Sequence, residues 1–361
     1  RRRRRPLAAP TTRPRDRRMS ARALLLALAA ALLAVIAATV AVVGQLTGGD
    51  NLALGRPALP AVSKDPAAVA RIDLAHPKAR YRFIRRDGQW ITPDKFDHPL
   101  SARRVNGLIN ELAALRLVEA KTRRPARFGR IGLDPAGGSH LRLFNDAGAV
   151  LGDVTIGDRL ARPTGTAKAG TFLRREGEDQ AWLAGGGVTL PVALKAWLAT
   201  TVIDLDRTRV AVFEMAPRAA NGADNGDAAP AWTVGRGGPG EAFSRLSPAS
   251  IRPAAPEAAA ALARSLHPLR FSDVRRRRPA ALVGHFARLR VASFDGLVVT
   301  LDLGREQTQN WARLAVSARA TAAAEVTAEA ARLNDKVKPW AYALAPWLVD
   351  RLTDRHQRLA P

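Results

Sequence analysis

The chain has 361 residues, a formal net charge of +25 and no cysteine. The lack of cysteine in these residues excludes disulfides, thiol nucleophiles and thiolate metal sites. The length allows two hydrophobic cores, and the basic surplus favours anionic partners such as lipid headgroups, although a GC-rich genome produces the same excess of arginine. No aromatic residues alternate with the basic runs, so nucleic-acid binding is not indicated.

Residues 23–46 form an uncharged run rich in Ala, Leu and Val. A helix needs about 20 apolar residues to cross the hydrocarbon core of a membrane. Ten arginines precede the run in residues 1–22, opposed only by Asp16, and such an excess marks the cytoplasmic side. We therefore predict a cytoplasmic basic segment (1–22), a single transmembrane helix (23–46) in the inner membrane, and a periplasmic C-terminal region in a Gram-negative envelope.

Two alternatives to this anchor stay open. A cleaved signal peptide also combines a basic start with an apolar core, but the run is long for a signal and its exit, Val42-Val43-Gly44-Gln45, lacks a small-x-small cleavage site. If Met19 is the true start, only Arg22 flanks the run and the predicted orientation is weaker. Within the run, a stripe of small residues would allow close packing against another transmembrane helix. The stripe consists of Ala30, Ala34 and Ala38.

After the anchor, the Gly and Pro content of residues 47–68 predicts a linker, with order beginning at Val69. Alternating apolar residues around Asp87-Gly88 predict a β-hairpin. The apolar spacing in 102–117 predicts a helix with Ser101 as its N-cap. Further along the chain, 219–230 is predicted to be a surface loop and 257–269 a helix that begins after Pro256.

Several sequence similarities recur in the same order in both halves of the chain. The hexapeptide 193–198 resembles 343–348. Apolar and polar residues alternate around Gly148 and again around Gly296, and each of these two patterns predicts a pair of antiparallel strands. We therefore predict an α+β fold that is duplicated, with mostly antiparallel strands and packed helices in each unit. The first unit would span 69–203 and the second 204–361.

Short motifs across residues 70–350 carry a resemblance to a known family. They lie at 83–90, 118–122, 131–135, 154–158, 197–198 and 340–344, and the more specific ones are Gly132-Leu133-x-Pro135 and Ile156-Gly157-Asp158. The chain resembles an uncharacterised family of membrane-anchored bacterial envelope proteins, often encoded beside auxiliary subunits of gliding-motility-type ABC transporters. The resemblance implies an inner-membrane location, a periplasmic domain and association with an ABC transporter. It supplies no catalytic residues.

The sequence contains no motif that carries catalytic chemistry. Its histidines do not fall in a His-Glu-x-x-His arrangement, and there is neither a Gly-x-Ser-x-Gly elbow nor a phosphate-binding loop. Asp204 and Asp206 share one face of a predicted strand, which is typical of solvated residues as well as of an acid/base pair. We therefore predict no catalytic residue, no cofactor and no metal ligand.

Binding is better indicated than catalysis. The run Arg275, Arg276, Arg277 and Arg278 is a candidate contact with an anionic surface, with an exposed loop as the simpler interpretation. The tryptophans Trp182, Trp197, Trp340 and Trp347 are predicted to be core residues.

These observations predict a non-catalytic accessory or scaffold subunit of an envelope ABC-transporter-type or assembly complex. Two alternatives are a periplasmic hydrolase or carbohydrate-active enzyme with an unrecognised site, and a basic module that binds anionic lipid or cell-wall polymer. An enzyme should gather residues with shifted pKa values in one deep pocket, whereas a scaffold should expose an apolar patch.

Overall fold

The structure is a computed structural model that describes residues 31–36, 38, 53–160, 170–217, 231–247, 256–280 and 282–353. Residues 31–36 and 38 of the predicted anchor, which include Ala34 and Ala38, are helical and exposed. Ala30, most of the anchor and the loop predicted at 219–230 lie outside the described residues. A search of the described residues for a helix that is long and apolar enough to span a membrane finds none.

The first half of the chain forms a nine-stranded antiparallel sheet. Its strands are β1 (Arg71–His76), β2 (Ala79–Arg86), β3 (Gln89–Thr92), β4 (His98–Pro99), β5 (Arg116–Ala120), β6 (Ser139–Phe144), β7 (Val150–Leu160), β8 (Gly170–Arg175) and β9 (Ala181–Gly185). They are ordered β4-β3-β2-β1-β6-β7-β8-β9-β5. Helix Ala102–Ala114 joins β4 to β5 and buries the apolar face that its sequence predicts, including Val105 and Leu112.

The second half forms an eight-stranded sheet. Its strands are β11 (Val210–Pro217), β12 (Trp232–Gly235), β13 (Ser244–Ser247), β15 (Asp273–Arg276), β16 (His285–Ser293), β17 (Leu297–Glu306), β18 (Gln309–Ala318) and β19 (Trp340–Leu344). The order β13-β12-β11-β16-β17-β18-β19-β15 matches the first sheet strand for strand, without a counterpart of β4. The protein is thus mixed α/β with mostly antiparallel strands, as predicted. The boundary between 203 and 204 stays a prediction.

The remaining elements are short. Strands β10 (Thr201–Ile203) and β14 (Leu269–Arg270) pair with each other, and the other helices are α1 (Pro60–Lys64), α3 (Pro256–Ser265), α4 (Ala324–Val337) and α5 (Pro346–Leu352). Helix Ala102–Ala114 is α2. Both predicted helices are shorter than expected because strand pairing begins soon after each one: residue 116 enters β5, and residue 269 enters β14.

The predicted hairpins are confirmed, and their turns explain the residues found there. Asp87 and Gly88 have φ of 51° and 75°, as a tight two-residue hairpin turn requires. Gly148 and Gly296 also have positive φ, 79° and 93°, and each lies between a pair of antiparallel strands, β6–β7 and β16–β17.

The two sheets also share a close backbone crossing, which we call the glycine crossing. A Cβ on Gly157 would lie 2.3 Å from the carbonyl oxygen of Ile131, the residue before Gly132. In the second sheet a Cβ on Gly304 would lie 2.6 Å from the carbonyl oxygen of the residue before Gly284. Gly132 and Gly284 both have positive φ, 66° and 53°. Only glycine allows the two backbone segments to approach so closely in this conformation.

Residues 53–68 are not the spacer that their Gly and Pro content predicted. Ala58, Leu59 and Val62 are buried in the core. The Ala58 N–H donates to the carbonyl oxygen of Leu115 at 2.9 Å, which ties the segment to the end of α2. The expected linker is therefore corrected for these residues, because α1, which lies within the segment, packs against α2 and β7.

The hexapeptides that suggested duplication do not occupy matching places. Trp197 lies in the segment between β9 and β10 and is 1% exposed, whereas Trp347 lies in α5 and is 61% exposed. Trp182 and Trp340 are buried as predicted. The expectation that Trp347 is a core residue is therefore wrong, because α5 turns this side chain away from the core that Leu348 and Val349 fill.

Candidate functional site

The two sheets meet at a junction built from short segments of both halves. Leu100 pairs with Leu198 in an isolated β-bridge, and the adjacent β10 pairs with β14. The His98 ring on β4 stands edge-on to Phe271 and Trp340 of the second half, with ring centroids 5.3 and 4.8 Å away. The edge strand β4, absent from the second sheet, thus supplies the aromatic contact that fixes the junction.

The pKa of His98 at this junction is far below the usual value for a histidine. Burial lowers the pKa of His98 to about 4, opposed by a hydrogen bond to the Pro99 carbonyl oxygen, with a smaller lowering from Lys336, Arg276 and Lys95. The imidazole is therefore neutral at physiological pH. It donates from Nδ1 to that carbonyl oxygen at 2.9 Å.

A cleft of about 890 Å³ opens at this junction, and we call it the junction cleft. Its walls come from the start of α2, the segment after β9, strand β14 and helix α4. Its cationic lining residues are Arg103, Arg104, Lys195, Arg270 and Lys336, and its one carboxylate is Glu111. Both halves of the chain contribute, since Arg270 and Lys336 belong to the second.

The cleft also contains the N-terminus of α2. Ser101 is the N-cap, as predicted, but its hydroxyl makes no capping hydrogen bond. Its backbone N–H donates to the Trp197 carbonyl oxygen at 2.8 Å, which holds the helix start against the segment that follows β9. The first-turn N–H groups of a 13-residue helix add partial positive charge to this wall.

Among the described residues, none of the five cations of the cleft forms an ion pair with a carboxylate. The ammonium group of Lys336 donates to the Thr201 carbonyl oxygen at 3.1 Å, and burial lowers its pKa while Asp204 raises it to a smaller extent. Glu111 accepts a hydrogen bond from the Thr189 backbone N–H at 2.9 Å, which joins α2 to the segment after β9.

Several arginines outside the cleft form ion pairs with carboxylates. Arg209 donates to both Glu329 carboxylate oxygens at 2.9 and 2.8 Å and to Asp295 at 2.9 Å. The hydrogen bonds to Glu329 raise the pKa of Arg209 and lower that of Glu329. The pKa of Asp295 is also lowered, because the hydrogen bonds from Ser293 and then Arg209 outweigh the effect of its burial. Arg288 is likewise held by Asp302 at 2.6 Å. The basic residues of the junction cleft form no such ion pair among the described residues, and what distinguishes them from other exposed basic residues is that five of them line one cavity.

The predicted arginine run divides into two pairs. Arg275 pairs with Glu306 and lies 3.8 Å from the ring centre of Trp311. Arg276 lies 4.4 Å from the ring centre of Trp340 and donates to the Phe96 carbonyl oxygen at 2.9 Å. Arg277 and Arg278 are exposed. Half of the run therefore stabilises β15, and only the second pair is free to meet an anionic surface.

The other polar candidates have structural roles. Asp206 accepts from the Thr208 backbone N–H and hydroxyl, each at 2.7 Å, and these bonds lower its pKa. Asp204 lies 2.6 Å from Nδ1 of His267. In the parts of the chain that the structure covers, no three His, Asp or Glu side chains gather as a metal site would require. His356 lies outside those parts.

Residues with shifted pKa values are scattered rather than gathered in one cavity. Lys336 lines the junction cleft and Arg236 a separate cavity of about 660 Å³. The rest of the shifted groups, such as His98, Glu329 and Tyr342, lie outside the described cavities. The junction cleft is therefore suited to binding an anion, and it lacks a paired general acid and base among its lining residues.

The two more specific motifs of the family resemblance, at 131–135 and 154–158, lie together at the glycine crossing of the first sheet. Gly132 meets Asp158, whose backbone nitrogen would lie 2.9 Å from an added Cβ, and Gly157 meets the residue before Gly132. These motifs therefore allow strand β7 and the segment before β6 to come into close backbone contact. A cavity of about 610 Å³ lies beside them, lined by Asp134, His140 and others.

Comparison with known proteins gives a family and no characterised relative. No curated protein and no solved structure matches the chain. A family model described as a domain of unknown function, DUF4340, matches residues 64–284, which is more than half of the chain and includes the glycine crossing of the first sheet and most of the junction cleft. The chain therefore belongs to the DUF4340 family.

Proposed function

We propose that this protein is a non-catalytic accessory subunit of a bacterial envelope complex of the ABC-transporter type. Residues 23–46 would anchor it in the inner membrane, with both sheets in the periplasm. The observation that carries the proposal is the junction cleft, because its lining favours binding over chemistry: it holds several cations, and its one carboxylate is engaged by a backbone N–H.

The proposed location and the proposed partners rest on the sequence. The apolar run with its arginine-rich flank supports a single anchor, and the family resemblance supports association with a transporter. An anchor confines the periplasmic region to a thin layer above the membrane, which raises its effective concentration toward other membrane proteins. Weak contacts are then sufficient for assembly.

The anchor is tested by fractionation of cells that express the full chain. We expect the protein to stay in the membrane pellet after carbonate extraction, and a reporter fused after Pro361 to be active only in the periplasm. Release of the mature protein into the soluble fraction would contradict the anchor. A cytoplasmic reporter signal would contradict the orientation.

The partnership is tested by crosslinking in cells followed by affinity purification of the full chain. We expect membrane subunits of a transporter or another envelope complex to be recovered. The control is a known envelope complex tagged in the same cells. If that complex is retained while the present chain recovers no envelope subunit, the accessory role is wrong.

A further inference from the structure

The junction cleft has a charge pattern that the fold itself does not require. Arg103, Arg104, Lys195, Arg270 and Lys336 come from separate segments of both halves, and the described residues provide none of them with an ion pair. All five are exposed, so water weakens their mutual repulsion, and an anion bound among them would turn it into attraction. The same chain neutralises Arg209, Arg275 and Arg288 with carboxylates.

We propose that the junction cleft binds a phosphate group carried by a hydroxyl-rich molecule, such as a phosphorylated polyol or sugar. The inference deepens the proposed function by naming a ligand class, and it rests on that function only for the compartment. The phosphate would lie between Arg270, Lys336 and the first turn of α2.

The chemistry of the lining favours phosphate over other anions. Arginine forks and lysine ammonium groups form short, charge-assisted hydrogen bonds with phosphate oxygens. The N-terminal N–H groups of a helix point toward such an anion and add to the same field. Ser101 provides no side-chain cap, and the Arg104 N–H donates to the Ser101 carbonyl oxygen at 2.9 Å, so the backbone N–H groups of Ala102 and Arg103 are the ones offered to an anion.

The size and polarity of the cleft argue that the ligand is more than inorganic phosphate. At about 890 Å³ the cleft is much larger than one phosphate group. Its remaining wall includes the polar residues Ser101, Thr189, Thr200 and Thr201. Hydroxyl groups and backbone carbonyls are suitable partners for the hydroxyls of a polyol or sugar.

The ligand has two sources with the same chemistry, a lipid headgroup and a soluble phosphorylated glycan. The full chain, purified in a non-ionic detergent, is titrated by calorimetry with glycerol 3-phosphate and with dihexanoyl phosphatidylglycerol. Succinate, also a dianion, is the charge-matched comparison. We expect glycerol 3-phosphate to bind at least about 10-fold more tightly than succinate, with affinity falling as salt is raised. Preference for the lipid would identify a headgroup as the source, and equal or tighter binding of the free ester would identify a soluble ligand; both outcomes support the phosphate site.

Matched variants locate the site. Arg270→Gln with Lys336→Gln should weaken binding by about 10-fold or more, because two charge-assisted contacts are lost. Arg277→Gln with Arg278→Gln removes the same charge from exposed positions outside the cleft and should leave affinity within about 2-fold. Arg103→Gln with Arg104→Gln provides a second cleft variant at exposed positions, so that a folding defect in the first does not decide the result.

Three results would overturn the inference: equal loss in cleft and control variants, no loss in either cleft variant, and succinate binding as tightly as the ester. The test needs no partner protein. Failure of the pulldown together with selective phosphate binding would reject the accessory role and keep the site, whereas the reverse would reject the site alone.

Discussion

The two sheets share their strand order, but the chain leaves the matched strands β9 and β19 in different directions. After β9, residues 186–200 return to the start of α2 and bury Trp197, whose indole N–H donates to the Pro191 carbonyl oxygen at 3.0 Å. After β19, the chain enters α5 at once and Trp347 stays exposed. The strand order is therefore common to both halves, while only the first half has a segment after this strand that returns to form part of the cleft wall.

The largest difference between the two halves is expected when the two tryptophans are each replaced by alanine. Trp197→Ala should lower the free energy of unfolding by about 3–5 kcal/mol, because it removes a buried ring that packs 5.1 Å from Phe83. Trp347→Ala should cost less than about 1 kcal/mol, the value of an exposed cation–π contact with Arg351. Urea denaturation measures both. Similar losses for the two would mean that the matched hexapeptides play matched roles.

The edge strand β4 gives the next prediction, since only the first sheet has it. Because the folded pKa of His98 is lowered to about 4 from 6.5, the unfolded chain binds more protons between these values. Stability contributed by His98 is therefore complete above pH 6.5 and decreases as the pH falls toward 4, by up to about 3 kcal/mol. Denaturation at pH 4.5 and pH 7 should show this loss. His98→Phe keeps a ring at the junction and should reduce the pH dependence, and an unchanged slope would contradict the assignment.

A smaller loss of stability is expected at the glycine crossing, which both sheets contain. Gly157→Ala and Gly304→Ala should each lower the free energy of unfolding by about 1–3 kcal/mol, because the added Cβ meets a carbonyl oxygen within 2.6 Å or less. Gly107→Ala is the matched control: it lies inside α2 with open space around it and should raise stability by about 1 kcal/mol. If only the first-sheet variant is destabilised, the crossing is not a shared feature.

Local patterns in the sequence predicted a large part of the fold. Alternation and turn residues located the β6–β7 and β16–β17 hairpins, and helical spacing located the buried face of α2. These features depend on neighbouring residues, so the sequence contains them directly. The packed segment at 53–68 was not predicted, because composition does not reveal that Ala58 bonds to Leu115 or that Leu59 and Val62 are buried.

The candidate site was not predicted. Its cations lie between residues 103 and 336, and each one alone resembles an ordinary solvated arginine or lysine. The more conspicuous signal, four consecutive arginines, led to residues of which two are engaged with Trp311 and Trp340. A run of arginines can be recognised in the sequence, whereas a cleft forms only when distant segments of the chain come together. The sequence offered one weak indication of the cleft: a basic residue with no acidic residue at the neighbouring positions of its strand or helix.

The sequence by itself determined the chain's basic character, its antiparallel hairpins, the family resemblance and the apolar run at 23–46, since each depends on composition or on residues close together along the chain. Tertiary structure alone decided that Trp197 is buried while Trp347 is exposed, that His98 is held neutral between two rings, and that unpaired cations of both halves surround one cleft. The physical reason is that burial and electrostatic pairing depend on which distant segments come into contact.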